Sequence, residues 1–193
     1  MSEIYEQTSM QHHLSQLRSE ASTDRLAGAT GLAMLALRTQ IHGAARTRRA
    51  TSAAVMESSA DVGLLASVRP ALSDRHMEVR RTLAFALGEL KNNSTFDVLA
   101  TLATTDPEST VRAEAVEAIA KFGGSQAVKI IQGSIETDPS VEVRLRGVRA
   151  LIALARRQPD TREIISERFD QLELWQDSDL VRDQFESLRD LLR

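Results

Sequence analysis

None of the 193 residues is cysteine, which excludes disulfides, thiolate metal sites, cysteine nucleophiles and covalent thioether carriage by the chain's own side chains. A reducing compartment, and with it a cytoplasmic location, is the expectation. Aromatic residues make up only 4% of the chain, so a core must be built from Ala, Leu, Val and Ile, which suits closely packed small helices. Four prolines and nine glycines leave room for long helices. No apolar run approaches the roughly 18 residues of a spanning helix. The opening MSEIYEQTSMQHH carries Glu3 and Glu6 in place of the basic-then-apolar pattern of a signal peptide. Net charge is only −3, so no basic field recommends nucleic acid.

Catalytic signatures are equally scarce. The four histidines are His12, His13, His42 and His76. His12 and His13 are adjacent and diverge by about 100° on a helix, which makes a poor chelate. HExxH, P-loop, GxGxxG and GxSxG patterns are absent. The expected catalytic, metal and cofactor sets are therefore none.

What the chain does have is periodicity. DRHMEVR at 74–80 returns as DPESTVR at 106–112 and DPSVEVR at 138–144, an interval of 32 residues. Evenly spaced copies belong to a stacked structural unit and not to a catalytic motif. Superposing the copies aligns Val79, Val111 and Val143. It also aligns Ala86, Ala118 and Ala150, then Leu87, Ile119 and Leu151, and finally Leu90, Phe122 and Leu154. These form one stripe of an amphipathic helix, the first helix of each unit. Turn formers follow at 91–94 and 123–125. A second, shorter stripe then runs through Phe96, Leu99 and Leu102 in one unit and Val128, Ile131 and Ile135 in the next. Two such helices cannot bury their apolar faces alone, and stacking solves that.

The expected fold is an all-α superhelix of about 32-residue helix pairs with degenerate terminal caps. Residues 1–20 are expected to be partly disordered. Residues 21–73 would hold capping helices and a degenerate repeat with Thr47-Arg48 in the Val-Arg register. Three repeats would fill 74–176, and a capping helix 177–193. Asp74, Asp106 and Asp138 are expected to cap the following helix, and Arg80, Arg112 and Arg144 to bond an Asp of their own or an adjacent repeat, making a structural ladder. Opposite charges at equivalent positions, Glu114 with Arg146, Glu117 with Arg149, Glu89 with Lys121 and Asp97 with Lys129, are expected to fix register. Residues 140–157 hold five Arg against one Glu, and 158–193 hold ten acids against five Arg. An anion site at Arg156 and Arg157, or at Arg46 and Arg49, is the lesser reading of these basic clusters.

DPESTVRAEAVEAIAKFGGSQAVKII resembles the HEAT-like repeat first associated with phycobilisome lyases, in which a loop Asp is followed by Val-Arg and then Ala-x-x-Ala-Leu-Gly. The match departs at that last Gly, where only Gly88 fits and Ala120 and Ile152 stand in its place. The resemblance implies a non-enzymatic scaffold that binds a protein partner through its second helices. The alternative it implies is a lyase subunit or chaperone presenting a linear tetrapyrrole, a bilin, to an acceptor cysteine. HEAT-like di-iron hydroxylases carry His-Glu pairs that this chain lacks, and HEAT-like DNA glycosylases are more basic. The same 32-residue ruler selects Asp97, Thr101, Lys129 and Gln132 as positions off the core stripe of the second helices. One repeat earlier it selects Leu65, Val68 and Arg69, which either pack beneath the helix at 24–39 or form an apolar binding centre. Homo- or hetero-oligomers are both compatible with such a stack.

Overall fold

The computed structural model describes residues 2–43, 63–91, 93–167, 169–172 and 179–193. All regular structure among them is helical. The chain divides into two compact units, residues 1–95 and 96–193.

The first unit contains α1 (Ser2–Gln16), α2 (Ser22–Gly43), a helical segment over 63–68 that runs into a 3-10 turn (Arg69–Ser73), and α3 (Met77–Leu90). The expected disorder in 1–20 is replaced by α1, which buries Leu14 and is followed by the buried Leu17. Close approach makes that packing possible. A Cβ on Gly28 would fall 2.6 Å from the His13 carbonyl oxygen, and one on Gly31 would fall 2.2 Å from the His13 ring. α2 in turn packs along α3, burying Ala29, Leu32 and Ala36 against a set that includes Leu83 and Leu87. Pro70 at the start of the 3-10 turn forbids continuation of the 63–68 helix.

The second unit follows the 32-residue period. α4 (Asn93–Thr105) begins at the unit boundary, and α5 (Ser109–Ala120), α6 (Gly124–Thr137), α7 (Val141–Arg157), α8 (Thr161–Ser166), α9 (Phe169–Leu172) and α10 (Asp179–Leu192) follow. First helices stack on first helices, α5 on α7 and α7 on α10, while α6 packs against both α5 and α7. Stripe members Val111, Ala115, Ile119, Val143, Leu151 and Leu154 each have 0% exposure, while Phe122 is half-buried. The second-helix stripe Leu99, Val128, Ile131 and Ile135 is likewise at 0%. Gly147 allows the tight α6–α7 crossing, since a Cβ there would stand 2.6 Å from Ile135 Cγ1.

The α5–α6 turn is made by Gly123 and Gly124 at φ of 79° and 74°, a region that L side chains rarely adopt. It is also held from the next repeat. Arg157 Nη2 donates to the Ala120 carbonyl at the end of α5, and Gln158 Oε1 accepts from the Gly124 N–H at 3.2 Å at the start of α6. Arg157, read above as a lesser anion-site candidate, is thus a fastener of the preceding turn, although it and Arg156 are both exposed. Arg46, Arg48, Arg49 and Asp177 lie outside the described residues.

Candidate interaction face

The recurring Asp and Arg come first, because their engagement decides which charges remain for a partner. The three aspartates are not the helix caps expected of them. The cap positions are His76, Glu108 and Ser140, in extended conformation and without side-chain capping bonds. Each Asp stands two residues earlier and accepts the N–H of that cap residue: His76 to Asp74 Oδ1 at 2.9 Å, Glu108 to Asp106 Oδ1 at 3.0 Å, and Ser140 to Asp138 Oδ1 at 2.8 Å. This local turn aims the Asp backbone carbonyl at the Arg six residues on. Arg80, Arg112 and Arg144 each donate Nη1 to that carbonyl, at 2.6, 2.9 and 2.7 Å.

The carboxylate is gripped from the preceding repeat. Arg112 Nε donates to Asp138 Oδ2 at 2.7 Å, and its Nη2 donates to Oδ1 at 2.9 Å. The two side chains are only 11% and 6% exposed. Hydrogen bonding to Asp138 holds the Arg112 guanidinium above its ordinary pKa, against the opposing effect of desolvation. Arg112 therefore ties its own turn to the next one. In the first unit Asp74 is gripped in the same two-oxygen manner by Arg25, through Nε and through Nη2 at 3.2 Å.

The Arg25 hydrogen bond, helped by the His76 N–H, lowers the Asp74 pKa despite its partial burial. A carboxylate whose folded value lies below its unfolded value contributes stability at neutral pH, and loses it as pH falls below the ordinary carboxylate range and through the folded value. The urea midpoints of wild type and Asp74→Asn should therefore differ at pH 7 and converge as the solution is acidified below the ordinary carboxylate range and through the folded value. A gap that stays constant with pH would show that Asp74 contributes nothing as an ion.

One cross-repeat charge pair is offset from the expected register. Arg146 meets Glu117, the expected partner of Arg149, at 2.8 Å, with a longer contact to Glu142 at 3.8 Å. Side chains on a helix lean toward its N-terminus, so carboxylates one turn along come within reach of a long Arg on the neighbouring helix.

With those charges occupied, the second helices present a different surface. On α4, Phe96, Leu99 and Leu102 turn inward, while Asp97 and Thr101 are exposed; on α6, Lys129 is exposed. The hydroxyls are tied down: Thr101 Oγ1 donates to the Asp97 carbonyl at 2.9 Å, Thr104 to Ala100 at 3.0 Å, Thr105 to Thr101 at 2.9 Å and Thr137 to Gly133 at 2.9 Å. Each hydroxyl so fixed keeps acceptor capacity facing outward. Thr104, Thr105 and Thr137 were not singled out from the sequence, although Thr105 and Thr137 stand one 32-residue interval apart.

Three of the selected positions do not face a partner. Gln132 is 1% exposed and donates Nε2 to the Ile165 carbonyl at 3.4 Å, because α8 covers that side of α6. Leu65 and Val68 are 9% and 1% exposed. Val68 packs against the N-terminal helix, and Leu65 on the same segment is buried. Val68 lines an apolar cleft with Leu32, Leu35, Ala36, Leu83 and Leu87. Arg69, beside them, is exposed.

Among the described residues no helix is long and apolar enough to cross a membrane, and no three His, Asp or Glu side chains cluster to hold a metal. The class that this geometry defines is an all-α helical-repeat protein. Residues 65–152 match the family model of HEAT repeats. No curated protein matches the chain.

Proposed function

We propose that the protein is a non-enzymatic scaffold whose second helices in the C-terminal unit bind a protein partner, with Asp97, Thr101 and Lys129 at the contact. HEAT repeats generally act as protein-interaction scaffolds. The observation that carries the reading is the division of labour between the charges. The recurrent Arg112 and Asp138 are consumed inside the stack, whereas Asp97 and Lys129 stand exposed beside threonines already fixed to their own helices. A preordered face of this kind loses little side-chain entropy on binding. Bilin presentation would call for Arg and Asp facing a tetrapyrrole. A cleft in the C-terminal unit is lined by Asp106, Arg112 and Asp138, but Arg112 and Asp138 there are paired with each other at 2.7 Å, which supports the scaffold reading over that alternative.

Charge reversal tests the face. Immobilised wild type is compared with the Asp97→Lys, Lys129→Glu double variant for proteins retained from lysate of the source cells. The expected result is about tenfold weaker retention, the effect of losing roughly 1.4 kcal/mol of complementarity, with an unchanged melting temperature. Equal retention by both would remove this face from the binding surface.

A further inference from the structure

The hydrogen bonds that define a repeat junction occur once more than the sequence period shows. Ala21 N–H donates to Ser19 Oγ at 3.2 Å, as His76, Glu108 and Ser140 N–H donate to Asp74, Asp106 and Asp138. Arg25 Nη1 donates to the Ser19 carbonyl at 3.0 Å, six residues back, as Arg80, Arg112 and Arg144 do to their own aspartates. The same Nη1 also reaches the Glu20 carbonyl at 2.7 Å, as Arg112 Nη1 reaches that of Pro107 at 3.1 Å. Arg25 then takes both oxygens of Asp74, as Arg112 takes both of Asp138.

Packing repeats as well. Gly28 follows Ser19 by nine residues, and Gly147 follows Asp138 by nine. A Cβ on Gly28 would press on Gln16 at 3.0 Å, and one on Gly147 on Ile135 at 2.6 Å. Gln16 and Ile135 each stand three residues before their junction residue. Thus α1 meets α2 as α6 meets α7, a second helix against the first helix of the following repeat.

We infer that Ser19–Arg25 is a further, cryptic repeat junction: α2 is the first helix of a HEAT-like repeat, and α1 is the second helix of the one before it. The helical residues 63–68 then supply the second helix of the α2 repeat. The distance from Ser19 to Asp74 is 55 residues against the usual 32, which is why the sequence period does not reveal the junction. SEASTDR retains only Ser-Thr-x-Arg of DPESTVR, with Ser19 in place of Asp and Asp24 in place of Val. The position expected of Thr47-Arg48 is filled by Asp24-Arg25. A hydroxyl serves at the junction because it accepts the same N–H, and Ser19 Oγ additionally donates to Asp24 Oδ2 at 2.8 Å.

Two measurements decide it, both on the full chain. In double-mutant cycles, Arg25→Ala with Asp74→Ala should show coupling of the same sign and similar size as Arg112→Ala with Asp138→Ala. Additive effects at Arg25 and Asp74 would overturn the inference. Separately, Ser19→Ala should lower the melting temperature by about 2–4 °C, the shift for losing roughly one turn hydrogen bond in a chain of this size. Writing the junction consensus with Ser19→Asp and Asp24→Val together should bring it back at least to wild type. A double variant melting no higher than Ser19→Ala would also overturn the inference, since a junction must accept its own consensus.

Discussion

Truncation of Ile119 to alanine is expected to destabilise the protein by about 4 kcal/mol, near the upper part of the range for a buried aliphatic whose cavity cannot collapse. Ile119 has 0% exposure, and its helix α5 packs between α6 and α7. Its neighbours Val116, Ala115 and Ala118 are also fully buried, so no mobile surface chain can fill the void. The urea midpoint of the C-terminal unit should fall accordingly, with an unchanged slope. A loss below about 1 kcal/mol would mean that Ile119 is not in a close-packed site.

The second large effect is expected at Arg112. Replacement by alanine should cost about 3 kcal/mol, because it strands a desolvated carboxylate on Asp138 and also releases the Asp106 and Pro107 carbonyls. Removing both partners should cost less than the sum of the two single replacements, since the double variant leaves no uncompensated charge. Arg112→Lys should recover only part of the loss, because an ammonium cannot grip two carboxylate oxygens and two carbonyls in one plane. Strictly additive single effects would refute the clamp.

Much of the fold was legible in the sequence because burial leaves a period behind it. Val111, Ile119, Val143 and Leu151 were assigned to the core by spacing alone, and all four lie there. The Asp–Arg ladder was legible as a set of positions but not as a wiring plan. Spacing cannot show that an Arg side chain addresses its own loop's carbonyl and the next loop's carboxylate together. The cryptic junction escaped because its chemistry survives substitution: Ser19 replaces Asp without loss of the accepted N–H. Of the selected positions, Asp97, Thr101 and Lys129 are exposed, whereas Gln132 is buried. Its polarity marked it as a surface residue, and only the position of α8, a six-residue helix without a strong period, buries it.

The clamp also imposes an order of assembly during synthesis. Arg112 leaves the ribosome 26 residues ahead of the carboxylate it grips, so the junction at 106–112 is only half fastened until the next one has emerged. The turn at Gly123 and Gly124 waits longer still, for Gln158 to arrive 34 residues later. The repeat that begins at Asp106 is thus completed by its successor. A nascent chain halted between them would carry one repeat short of its last ties.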